Sequence, residues 1–157
     1  MNNKNNIIGI SKENMLKEKV FEGQKSFRVK QIWKWLYAKG SKKFDDMSDV
    51  SLKFRENLKN NYQIKLPLIN KDETSQDGTR KWLFGLEDGN EIETVFIPDS
   101  NRGTLCVSSQ VGCTLSCSFC YTGTMKLVRN LSVSEIIGQI LVAKNLLNDW
   151  GNKTQDR

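Results

Sequence analysis

Three cysteines crowd into eight residues. Cys113, Cys117 and Cys120 stand in the frame C-x3-C-x2-C, within Gly112-Cys113-Thr114-Leu115-Ser116-Cys117-Ser118-Phe119-Cys120-Tyr121. In a chain without a secretory signal, cysteines so spaced read as metal ligands or catalytic groups before they read as disulfides. Three chemistries are open to them. They could be ordinary thiols, although three in so short a loop argue against that. They could join Cys106 in a four-thiolate zinc site, but the spacing is unlike the paired C-x2-C knuckles of zinc ribbons. Or they could hold a 4Fe–4S cluster, which wants four ligands and would keep one iron open for an exogenous group. The chain has no histidine. That removes Ser–His triads, His-bearing zinc hydrolase sites and His general bases together.

Two further residues invite chemistry. Cys106 lies on a predicted strand and by its residue type alone reads as a small apolar core residue. Glu93 lies on another predicted strand, sharing a face with Val95 and Ile97 and opposite Ile92, Thr94 and Phe96. A carboxylate among apolar neighbours is either at a sheet edge or has a use. Partial burial would raise its pKa toward that of a working base. Glu91, two residues earlier on that face, serves as its comparison.

The elements that must position these groups can be read from periodicity. Ser11 is placed to cap a helix over about Lys12–Phe21. Val29, Ile32, Trp33, Leu36 and Tyr37 form one helical stripe that Gly40 is placed to end. A third helix opens near Ser51 with Leu52, Phe54 and Leu58 inward. Residues 1–65 therefore read as a small basic three-helix unit with a frayed Asn-rich start, its aromatics taken as core. Residues 66–98 read as linker and β-hairpin: Trp82, Phe84 and Leu86 alternate, Glu87-Asp88-Gly89-Asn90 turns, Glu91–Ile97 returns, and Pro98 stops the strand. From 99 onward come a strand at Gly103–Ser108, the cysteine loop, and a long helix. Ser132 caps that helix with Glu135 in the capping-box position, and Ile136, Ile137, Ile140, Leu141 and Leu147 form its apolar side. The fold class is α/β.

Composition sets the outer bounds. Apolar residues at 38% and charged residues at 27% suit one folded, soluble domain. No stretch approaches the ~20 apolar residues of a membrane span. No membrane association is expected, and the cytoplasm is the expected compartment. The net charge of +6 is uneven: residues 1–70 carry +8 and residues 71–157 carry −2. Basicity confined to one half suits contact with a polyanion, or simply a solvated lysine-rich face.

C-x3-C-x2-C with Phe119 before its last cysteine resembles the signature of the radical S-adenosylmethionine enzymes. The runs Glu93-Thr94-Val95-Phe96-Ile97-Pro98, Thr104 to Cys113, Arg129-Asn130-Leu131 and Ser134-Glu135-Ile136-Ile137 resemble the RlmN family within it. So do Phe27-Arg28, Gln31-Ile32-Trp33 and Phe44-Asp45-Asp46-Met47, which are similar to the family's helical RNA-binding domain. The resemblance implies that residues 1–65 bind RNA. It implies that 99–157 begin a partial (β/α) barrel, with Cys113, Cys117 and Cys120 holding a 4Fe–4S cluster whose open iron chelates S-adenosylmethionine. Phe119 would pack near the adenine of S-adenosylmethionine or cover the cluster. Glu93 would accept the proton from adenine C2. Cys106 would form a transient disulfide with a methyl-carrying cysteine. The implied activity is methylation of adenine C2 in 23S ribosomal RNA and in the tRNA anticodon loop, with an electron donor as further partner and the enzyme a monomer.

Members of the family are more than twice this long, and no cysteine follows Cys120. The chain is accordingly expected to be a fragment or the product of an interrupted gene, and not to methylate RNA by itself. Two alternatives come from other classes: a non-catalytic RNA-binding remnant, or an iron–sulfur or zinc-stabilised structural protein.

Overall fold

A computed structural model describes residues 4–100, 102–115 and 121–150. The chain divides into two compact units. One is built on Met1–Leu66 and resumes from Leu141; the other is Pro67–Ile140.

The first unit is helical. A two-residue strand β1 (Asn5–Asn6) pairs in parallel with β2 (Tyr62–Gln63). The Asn-rich start is therefore tied down from Asn5, not frayed, and Asn6 Nδ2 donates to the Lys65 carbonyl at 2.8 Å. The next residues, Ile7 and Ile8, are buried. Helix α1 (Lys12–Lys17) has Ser11 as its cap, accepting from the Asn14 N–H. It ends four residues sooner than the expected Phe21, because Glu18 turns extended and a 3-10 turn over Lys19–Phe21 follows. Tyr62 Oη donates to the Glu18 carboxylate at 2.7 Å. Burial, with that carboxylate adding to it, pushes the Tyr62 phenol up. Helix α2 (Phe27–Tyr37) buries Val29, Ile32 and Leu36, and α3 (Leu52–Asn61) buries Phe54 and Leu58. Leu52 is 72% exposed, against expectation. It precedes Phe54 by two residues, about 200° around a helix, so the two cannot share a face. Phe21 meets Phe54 edge to face at 5.5 Å in the core. Trp33 and Trp35 are only half-buried.

The second unit is a sheet with a helix against it. The order is β3 (Leu68–Thr74), β4 (Arg80–Gly85), β5 (Glu91–Pro98), β6 (Gly103–Cys106), all antiparallel neighbours. The expected linker therefore contains a strand. β3 lacked a hydrophobic signal because every residue in it is exposed. It is held by backbone pairing and by the Arg80–Asp72 ion pair at 2.6 Å. Asp72 is thereby kept below the usual carboxylate range. Pro98 closes β5 as its last residue, opposite Gly103. β6 ends at Cys106, shorter than the expected Gly103–Ser108, and extends the hairpin as its antiparallel neighbour. Among the described residues it has no parallel partner strand. The sheet's inner face carries Trp82 and Phe84, stacked at 6.3 Å, with Ile92 and Thr94 beside them.

Helix α5 (Val133–Leu146) begins as expected: the Glu135 N–H donates to Ser132 Oγ, and the Ser132 N–H to Glu135 Oε2 at 2.7 Å. Its inward side differs from the expected one. Ile140 is 37% exposed, and Gln139 is fully buried. No helix among the described residues is long and apolar enough to cross a membrane.

Candidate cysteine-loop site

The cysteine loop hangs from a short stem. β7 (Gln110–Val111) pairs with β8 (Arg129–Asn130). Above it the Cys113 N–H donates to the Met125 carbonyl at 3.2 Å, and Cys113 bridges to Lys126. Gly112 makes this register possible. Its φ is +74°, and a Cβ there would lie 2.1 Å from the Lys126 carbonyl oxygen. A glycine is needed both for the left-handed backbone and for the close approach. After the stem a single turn, α4 (Tyr121–Thr124), brings the chain back.

Arg129 braces the stem's base. Its Nε donates to Asp88 in the hairpin turn at 2.7 Å, and its other two nitrogens clasp Glu135 at 2.9 and 2.8 Å. The guanidinium holds the Asp88 and Glu135 carboxyls below the usual carboxylate range, with Asn90 and Ser132 assisting.

A second brace was not foreseen. Buried Gln139 accepts at Oε1 from Thr94 Oγ1 (2.8 Å) and from the Ser108 N–H (2.9 Å). Its Nε2 donates to the Ser108 carbonyl at 2.9 Å. One amide thus ties α5 to β5 and to the segment that leads into the loop. The available signal was a lone glutamine amid the helix's apolar residues.

Cys113 is half-buried, and its Sγ accepts the Leu115 N–H at 3.3 Å. Cys117, Phe119 and Cys120 lie outside the described residues. Among the described residues no three His, Cys, Asp or Glu side chains gather into a metal-binding group. The donor chemistry that can be tested suits an iron–sulfur cluster. The set is all thiol, and the one described sulfur is reachable and already accepts a backbone N–H, as cluster sulfurs do.

Cys106 is exposed at the end of β6, so the core reading of it is overturned. Its side chain shares the outward face because it stands opposite Val95, whose own face is set by the alternation of β5. Glu93 is exposed on that same outward face, with its side chain 49% accessible. The sequence left open an edge position or a use for it, and Glu93 is not buried. β4 covers one side of its backbone, and on the other the β6 ladder stops at Val95, beyond which Ser108 Oγ donates to the Glu93 carbonyl at 2.8 Å. Lys81 reaches across from β4 to Glu93 Oε1 at 3.1 Å, a partner the sequence did not reveal. The comparison residue Glu91 is instead bonded by Asn70 at 2.7 Å. Since Cys106 faces Val95, and Glu93 is two residues along β5, Glu93 and Cys106 are diagonal neighbours, about 7–8 Å apart in a regular sheet. The sheet brings together the two groups that stood apart in sequence.

Known proteins resemble this chain over nearly all of its length. Residues 5–64 match the family described as the ribosomal RNA large subunit methyltransferase N-terminal domain, RlmN_N. Over 96% of its length the chain is 48% identical to the dual-specificity RNA methyltransferase RlmN of Zymomonas mobilis, and over 96% it is 51% identical to that of Bartonella quintana. The chain is similar to RlmN over nearly its whole length. This RlmN-like chain spans about 40% of the length of those relatives. Its fold superposes on a radical SAM methyltransferase from Sphaerobacter thermophilus with a TM-score of 0.81 and 31% identity, covering 94% of this chain and 44% of that one.

Proposed function

We propose that the chain supplies the RNA-binding domain and the start of the catalytic core of a cytoplasmic, dual-specificity RNA methyltransferase acting on adenine C2 in 23S ribosomal RNA and in tRNA. The observation that carries this reading is the shared outward face of Glu93 and Cys106, on a sheet whose last strand feeds the stem of Cys113. Cys113, Cys117 and Cys120 would hold a 4Fe–4S cluster, and Phe119 would shield it or the adenine of S-adenosylmethionine. When bound, the cluster would supply one electron from an external donor for cleavage of S-adenosylmethionine. Glu93 would take the proton leaving adenine C2, its carboxylate aimed by Lys81. Cys106 would present the thiolate that attacks the sulfur still joining a methyl-carrying cysteine to the base, forming a transient disulfide as the sulfur–carbon bond breaks and its electron pair leaves with the RNA. The barrel that 99–157 would open belongs to the same proposal.

Anaerobic reconstitution of the purified chain with iron and sulfide tests it. The expected result is visible absorption near 400 nm, roughly the band of such clusters, with about four irons per chain. Cys113→Ala, Cys117→Ala and Cys120→Ala should each abolish the band while Cys106→Ala keeps it. Retention in the three loop variants would overturn the assignment. The +8 charge of residues 1–70 favours a second reading, a non-catalytic RNA-binding module. RNA binding with no cluster formed would select that reading.

A further inference from the structure

The basic charge of the first unit is not spread evenly over its relief. At the end of α2 the chain makes a tight loop, Lys39-Gly40-Ser41-Lys42-Lys43, and with Trp35 and Asp46 this loop lines an open depression of about 460 Å³. Lys39 lies over the Trp35 ring at 3.6 Å. Lys42 and Lys43 are exposed and make no ion pair among the described residues. The acids nearby are already engaged. Asp46 accepts from Ser41 Oγ at 3.0 Å, Asp45 pairs with Lys59 at 2.6 Å, and Asp49 accepts from the Trp35 indole. The loop is also held firm. Ser41 N–H donates to the Trp35 carbonyl at 2.9 Å, and the Trp150 ring lies so close to Gly40 that a Cβ there would stand 2.2 Å from it. Another depression of this unit, about 410 Å³, balances Lys53 against Glu56.

We infer that the Lys39–Lys43 loop is where this unit grips the phosphate backbone of RNA, with Lys42 and Lys43 as the two phosphate contacts. Three lysines against the single carboxylate of Asp46 leave a net positive concavity, and a preformed loop loses little entropy on binding. Lysine contacts a phosphate as a point charge and needs no forked geometry. The choice of RNA as the polyanion rests on the function proposed above; the position of the contact rests on the geometry alone.

The test is fluorescence anisotropy of the full chain with a labelled single-stranded RNA across a salt series. Each phosphate neutralised on a single strand contributes about 0.7 to the slope of log K against log salt. Lys42→Ala/Lys43→Ala should make the slope shallower by about 1.4. Lys42→Arg/Lys43→Arg should restore it, and Lys53→Ala should leave it unchanged. Circular dichroism checks that the variants fold, which is expected because neither lysine has a partner to lose. Equal slopes in wild type and Lys42→Ala/Lys43→Ala would overturn the site while leaving RNA binding intact. An equal loss in Lys53→Ala would overturn it too, as would wild type binding anionic vesicles and no RNA. Absence of any RNA binding by wild type would remove both the site and the RNA-binding part of the proposed function. Iron loading would still report on the cysteine loop independently.

Discussion

Replacing Gly112 by alanine adds one methyl group at the root of the cysteine loop, and the structure says what that methyl meets. Alanine in the left-handed region costs about 1–2 kcal/mol, partly offset by about 0.4–1 kcal/mol from a stiffer unfolded chain. Gly89, in the hairpin turn of the same unit, provides that conformational term by itself. Its φ is +82° and a Cβ there meets nothing within 4 Å. Gly89→Ala should therefore cost only about 1 kcal/mol. At Gly112 (φ +74°) the new Cβ would lie 2.1 Å from the Lys126 carbonyl oxygen and 2.9 Å from its carbon, and backbone cannot rotate aside as a side chain can. The two strands of the stem must part by about 1 Å, which sacrifices the Cys113 N–H bond to Met125 that makes the bridge to Lys126, worth about 1 kcal/mol, and loosens the packing around it. Gly112→Ala should thus cost about 2–4 kcal/mol. Urea unfolding of both variants, followed through the Trp82 fluorescence of this unit, gives the difference directly, with iron uptake after reconstitution as a second reading. If the two alanine variants lose the same stability, the close packing of the stem contributes nothing and the reasoning is refuted.

Two further outcomes follow from the braces of that stem. Gln139→Leu keeps the volume but strands the Thr94 hydroxyl and the Ser108 peptide groups inside, at a cost of about 2–4 kcal/mol; a loss below about 0.5 kcal/mol by urea denaturation would show that these groups find other partners. The Asp88 and Glu135 carboxyls, held down by Arg129, stabilise the fold above their ordinary pKa values of 3.8 and 4.5 and lose that contribution as pH falls through their depressed folded values. The urea midpoint should accordingly drop as pH goes from about 5 toward 2, and Arg129→Gln should start lower with a flatter acid limb; parallel limbs would sink the assignment.

Much of the fold was legible because a few residues carried strong local signals. Ser11 and Ser132 cap the helices they were expected to cap, Ser51 caps the one expected to open near it, and Trp82 and Phe84 announced the inner face of the sheet. The misses have physical reasons. β3 is an exposed strand of charged residues, and its stability lies in backbone pairing and one ion pair that no hydrophobic pattern reports. Leu52 was grouped with Phe54 by residue type, although their spacing puts them on different sides of α3. Among the candidate site residues, cysteine spacing was readable because ligand sets are local. The neighbourhood of Glu93 was not, because it depends on which strand lies across from it. Only the register Leu83 opposite Glu93 brings Lys81 within reach. Cys106 reads as core by residue type and is surface by the alternation of its strand.

The two outer borders of the four-stranded sheet are not equivalent. On the β3 side, a bulge between Ile69 and Lys71 and the charges of Lys71, Asp72 and Glu73 spoil any further strand pairing. The β6 side is Gly103-Thr104-Leu105-Cys106, in regular register with β5 and without a charge. The sheet can therefore be extended in one direction only. Any strand that joins it must do so along the border that carries Cys106, so whatever docks there arrives directly beside that thiol.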